Sequence, residues 1–202
     1  MSARATIDVS KLPDHAFGSR SIMWWATISI VAIEGTVFLL AIAGYFYLQG
    51  NELDWPPPDT LLPAHFWGTI NVFVLLVSLI PNQLVKRAAE EMNVRKVRRW
   101  LIVADLFAIA FVVIRALEYG SLNVSWDSNA YGSATWTLLS LHTIHLVTDL
   151  IDTLVLTVLM FTRHGHDSRR FVDVSENAFY WYFVVLAWLP VYAVVYWAPR
   201  LL

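Results

Sequence analysis

The sequence predicts an all-α integral membrane protein, a bundle of five transmembrane helices. Three observations carry that prediction. Of the 202 residues, 57% are hydrophobic and 15% charged, against roughly 45–50% and about 25% in an ordinary soluble domain. The mean hydropathy is +0.54. Five stretches stay apolar over the roughly 20 residues a spanning helix needs, and no series of alternating strands suggests a membrane barrel.

In chain order, residues 1–21 are polar and form a segment expected on the cytoplasmic side. With no apolar leader in them, the first helix is expected to act as its own insertion signal. Residues 22–202 then make one transmembrane domain, with spans at about 22–48, 66–85, 100–117, 134–162 and 178–199. The loop after the first span holds Trp55-Pro56-Pro57-Pro58, a stiff polyproline-like link. Pro190 in the fifth span removes a backbone donor and is expected to kink it.

The loops give orientation. Arg4, Lys11 and Arg20 precede the first span. Lys86, Arg87, Arg95, Lys96, Arg98 and Arg99 join the second to the third, and Arg163, Arg169 and Arg170 join the fourth to the fifth. These are 12 of the 14 basic residues, and loops 49–65 and 118–133 have none. The positive-inside rule then puts the N-terminus in the cytoplasm and the C-terminus outside. Aromatic belts agree: Trp24, Trp25, Trp100, Tyr180 and Trp181 at inner ends; Tyr47, Trp67, Trp136, Tyr196 and Trp197 at outer ends.

Composition also excludes classes. A net charge of −2 offers phosphate no global attraction, so no nucleic-acid partner is expected. Zero cysteines leave no disulfide, thiolate metal site, iron–sulfur cluster or cysteine nucleophile.

A charge at mid-bilayer costs about 2.5–3.5 kcal/mol on insertion scales, so each one needs a partner or a purpose. The first span has Glu34, and the third has Asp105 and Arg115. The fourth has His142, His145, Asp149 and Asp152, whose spacing of i, i+3, i+7 and i+10 falls within roughly 80° of arc and so lines one face. Glu34 and Asp149 lie near the middle of their spans, where two carboxyls at one level can share a proton. The buried polar set Glu34, His142, His145, Asp149 and Asp152 is therefore read as a packing network or a proton network. Arg115 and Glu118 are three apart and can pair; Arg115 can also snorkel outward, toward an anionic lipid head. Two other classes stay open: a self-contained haem or metal protein using His65, His142 and His145, and a small proton-coupled transporter using Glu34 and Asp149.

Three stretches carry a resemblance: Ile33-Glu34-Gly35-Thr36-Val37-Phe38 with Gly44-Tyr45-Phe46; Glu118-Tyr119, then Ser128-Asn129-Ala130-Tyr131-Gly132-Ser133 and Leu141-His142-Thr143-Ile144-His145; and Tyr180-Trp181-Tyr182-Phe183-Val184 with Trp188 and Tyr196-Trp197. In order and spacing they resemble subunit III of the haem-copper oxidases, the cytochrome c oxidase type, in its short five-helix bacterial form. The Trp55-Pro56-Pro57 loop fits as well. The family motif residues are thus Ser128, Tyr131, Gly132, Ser133, Trp181 and Trp188.

The branch is divergent: Tyr182 and Val185 stand where the family usually has histidine and aspartate, Thr143 and Asp149 where it usually has glycine. The resemblance implies a non-redox accessory subunit in a bacterial cytoplasmic (inner) membrane. It would flank catalytic subunit I and subunit II, hold phospholipid and support proton uptake. Haem and copper would reside in the partner subunits, with no cofactor and no catalytic residue in this chain. The related accessory subunit of nitric oxide reductases is the alternative within the family.

Overall fold

The computed structural model describes residues 16–201, so Arg4 and Lys11 of the N-terminal segment lie outside the described residues. Helices α1 (Ile22–Asn51), α2 (His65–Glu90), α3 (Val94–Gly120), α4 (Ala130–Phe161) and α5 (Ser168–Tyr192) follow one another. A π turn over Ala193–Trp197 and a last turn, α6 (Ala198–Leu201), continue α5 into one apolar run. All five runs are long and apolar enough to cross a membrane.

Side chains set several helix starts by accepting the first free backbone donors. Ser21 accepts from Met23 N at 3.1 Å, Asn93 from Lys96 N at 3.1 Å, Asn129 from Gly132 N at 2.8 Å and Asp167 from Arg169 N at 3.0 Å. Helix α5 continues through Pro190, and a π turn begins three residues later. Arg200 closes this end, donating to Tyr196 O at 2.5 Å and to Pro63 O at 2.6 Å.

The helices outrun the expected spans. The second was expected at 66–85 and extends to Glu90; the third starts at Val94 rather than 100, the fourth at Ala130 rather than 134, and the fifth at Ser168 rather than 178. An apolar run measures the hydrocarbon thickness, whereas a helix continues wherever its ends still pack. Here the end of α2 and the starts of α3 and α5 pack in a second apolar cluster that includes Val85, Ala89, Val97, Leu101, Phe171 and Val174, and the start of α4 packs through Tyr131 in the main one. The main cluster fills the rest of the bundle around Phe38, Phe111, Leu139, Leu146, Trp188 and Tyr196.

Helix α2 packs on α3 and α5, α4 packs on α3 and α5, and α1 lies mainly against α4 and α5. Across the interior, Trp181 Nε1 donates to Ser78 Oγ at 2.9 Å and Asn82 Nδ2 to Ala178 O at 2.8 Å. These bonds pin α5 to α2 next to Pro81, where α2 lacks a backbone donor.

Candidate functional site

The polar face of α4 divides into three groups at three depths. In the N-terminal half of α4, Arg115 of α3 is 1% exposed and His142 0%. Arg115 Nη2 lies 3.1 Å from His142 Nδ1, and His142 Nε2 lies 2.9 Å from Val184 O. Arginine only donates and a carbonyl only accepts, so Nδ1 is the acceptor and Nε2 carries the hydrogen. His142 is therefore assigned as the neutral Nε2–H tautomer, with both nitrogens engaged. Arg115 Nη1 is 3.0 Å from Glu118 Oε2, and the guanidinium lies 3.8 Å from the Trp188 ring centre. Tyr196 donates to Glu118 Oε1 at 2.5 Å, and Asn71 donates to Oε2. Arg115 thus does not extend to the surface of the bundle; its guanidinium is enclosed by α3, α4 and α5.

One turn further along α4, Tyr180 donates to Glu34 Oε2 at 2.6 Å, and His145 Nε2 is 3.6 Å from Glu34 Oε1. His145 Nδ1 donates to Leu141 O at 2.6 Å, and Phe38 packs on the ring with centres 4.9 Å apart. This group joins α1 to α4 and α5.

Deeper still, Asn177 Nδ2 donates to Asp149 Oδ1 at 3.2 Å and to Asp152 Oδ2 at 3.3 Å. The Thr153 hydroxyl lies 3.1 Å from Asn177 Oδ1 and 2.9 Å from Asp149 O. Among the described residues no hydrogen bond joins Glu34 to Asp149, nor His142 to either. The expected polar network is thus hydrogen-bonded in three groups along α4.

Two spaces adjoin the innermost group. A groove of about 550 Å³ opens between the start of α1, the end of α4 and the start of α5, with Asp149, Asp152 and Glu176 beside Met23, Ile30 and Val155. A small cavity of about 20 Å³ lies between α2, α3, α4 and α5, walled by Ser78, Asn82, Ala104, Asp149, Thr153 and Asn177.

Four of the family motif residues, Ser128, Tyr131, Gly132 and Ser133, shape the turn into α4. Ser128 donates to Ser125 O at 2.8 Å and Ser133 to Trp126 O at 2.6 Å, closing the turn into α4. A β-carbon on Gly132 would stand 2.2 Å from Ser125 O, so only glycine fits there. Tyr131 is 0% exposed and packs edge-on against Trp55 and Tyr45. Trp181 and Trp188 are buried on α5.

His65 stacks on Tyr196 and Trp197 at the start of α2, apart from His142 and His145. Among the described residues, no group of three or more His, Asp or Glu side chains is placed to hold a metal ion. Four partners escaped the sequence reading as site residues: Asn71, Asn177, Tyr180 and Tyr196. The two tyrosines were assigned to aromatic belts. Asn177 stands just before the fifth apolar run, on a face of α5 shared with Asp173 and Tyr180, and carried no signal of its own.

The sequence model of the family described as cytochrome c oxidase subunit III matches residues 52–199. The chain is similar to a probable cytochrome c oxidase subunit 3 of Mycobacterium bovis, 28% identical over 191 residues, covering 90% of this chain and 91% of the relative. It is similar to cytochrome c oxidase subunit 3 of Thermostichus vulcanus, 24% identical with 91% and 90% covered. It is also similar to that of Synechocystis, 24% identical with 89% and 77% covered.

Proposed function

The chain belongs to the cytochrome c oxidase subunit III family, and from that premise we propose how its polar interior serves a terminal oxidase. It is an accessory subunit III of a haem-copper oxidase in the respiratory chain. Its partners are catalytic subunit I and subunit II, which carry the haem and copper. Oxygen reduction occurs in those chains; this one packs beside them in the bacterial cytoplasmic membrane, with its basic loops inside.

The observation that carries this reading is the match over residues 52–199, together with relatives aligned over most of their length. The inner half of the bundle supports the finer part. Glu34, His145 and Tyr180 join three helices through polar atoms, and Asp149 and Asp152 line an open groove. This end supports proton uptake by the complex.

Purification in mild detergent tests the reading. Co-isolation with a haem-copper catalytic subunit and subunit II, in a complex that consumes oxygen, is the expected result. A chain that purifies alone with stoichiometric haem or metal overturns it. A complex that reduces nitric oxide and not oxygen moves it to the sister branch.

A further inference from the structure

Asp149 stands between two spaces of different kind. The open groove lies on one side and the cavity of about 20 Å³ on the other, and Asn177 lines both as well. One water needs about 10–15 Å³ and two to four polar partners. The cavity has the volume, and Ser78, Asn82, Thr153, Asn177 and Asp149 are the polar side chains on its wall. Asp149 is 4% exposed. Among the described residues Asn177 is the one hydrogen-bond donor to its carboxylate. Arg170, the basic side chain that lines the groove, is engaged by Asp173 at 2.7 Å. An unpaired buried charge costs several kcal/mol. Water or a proton has to supply what the neighbouring side chains do not.

We propose that Asp149 is a proton-exchanging carboxyl, filled from the groove and hydrogen-bonded on its inner side to one water molecule held in the cavity. The exchange is simple acid–base chemistry: hydronium in the groove gives its proton to the carboxylate, leaving water and a carboxylic acid, and the reverse step returns it. The groups that face Asp149 are Glu34 from α1, Asp152 from α4, and Arg170, Asp173, Glu176 and Tyr180 from α5. Helices α2 and α3 wall the cavity with uncharged residues. Glu176 is 5% exposed and its Oε2 has no partner among the described residues, so a second acid on the groove also lacks full compensation.

The proposal rests on the chain being a subunit of a proton-consuming oxidase, and infrared spectroscopy of the intact complex tests it. In the wild type, a protonated-carboxyl C=O band is expected to titrate and to shift in heavy water within the time of buffer exchange; Asp149→Asn is expected to lose it. A band that neither titrates nor shifts, or one that persists in Asp149→Asn, overturns the proposal. Ala104→Val places two methyl groups at the cavity wall and is expected to slow the heavy-water shift; an unchanged rate overturns the role of the inner water. Should that variant not assemble, density for the wild-type complex decides: a water within hydrogen-bond distance of Asp149 supports the proposal and an empty cavity overturns it. Failure of the catalytic subunit to co-purify refutes the subunit III reading; an intact complex without the band refutes Asp149 alone.

Discussion

Arg115 Nη1 stands 3.0 Å from Glu118 Oε2, one turn apart on α3, with side chains 1% and 0% exposed. The pair is a junction of four helices. Asn71 reaches Glu118 from α2, His142 meets Arg115 from α4, and Trp188 of α5 and Tyr196 of the π turn close the far side. Desolvating each ion costs several kcal/mol, so the pair persists only because its hydrogen bonds and the ring face are added to its attraction. Its main effect is to select one packing of the bundle.

Removing one partner should therefore be worse than removing both. Arg115→Met leaves Glu118 buried without its cation, and breaking a buried pair costs about 3–5 kcal/mol. Arg115→Met with Glu118→Gln removes both charges and keeps a group that can bond Asn71 and Tyr196. The thermal midpoint of the purified complex should fall most in the single variant and recover in the double one. Equal losses in both would show that the side chains act independently.

Gly68 sits where α2 approaches the π turn. A β-carbon there would stand 2.5 Å from Tyr196 Cζ and 2.8 Å from its hydroxyl oxygen. Gly68→Ala forces the ring aside and disturbs its bond to Glu118, and overpacking of this kind costs about 1–3 kcal/mol. Tyr196→Leu leaves Glu118 Oε1 without its donor and should itself be destabilising by about 1–3 kcal/mol or more, but combined with Gly68→Ala the loss should be smaller than the sum of the two single losses. Retention of the subunit through detergent washes measures both.

The five spans are legible in the sequence because hydrocarbon thickness acts on every residue of a run. The resemblance to the subunit III family is legible because its motifs keep their order along the chain. The grouping of the α4 face is not. Spacing shows that His142, His145, Asp149 and Asp152 share a face, but ten residues at about 1.5 Å each cover roughly 15 Å of depth. Side chains that far apart cannot form one cluster, and which neighbour meets each depends on helices α1, α3 and α5. Asn177 and Tyr180 are decided by that pairing, which no local pattern in α5 encodes.

Tyr180→Phe and Glu34→Gln separate packing from proton exchange at the middle group. Tyr180→Phe removes the 2.6 Å bond to Glu34, and a lost hydrogen bond of this kind costs about 1–3 kcal/mol. Stability should fall while proton uptake per oxygen is kept. Glu34→Gln keeps an acceptor for Tyr180 and removes the acid, so uptake or turnover should fall with little change in stability. Unchanged assembly, turnover and proton stoichiometry in Glu34→Gln would reduce Glu34 to scaffold.

Orientation is open to a direct measurement because the chain has no cysteine of its own to block. Lys96, in the first turn of α3, is an exposed basic-loop residue whose ammonium pairs with Glu91 at 2.8 Å. Asp127, in the loop before α4, is exposed at the opposite end. Neither Lys96→Cys nor Asp127→Cys alters a buried contact, and a surface pair such as Lys96–Glu91 contributes about 0–1 kcal/mol. With basic loops inside, a membrane-impermeant maleimide should label Asp127→Cys in intact cells and Lys96→Cys only after the membrane is opened. The reverse pattern would invert the bundle. The groove beside Asp149 would then face outward, away from the side from which the oxidase is proposed to draw its protons.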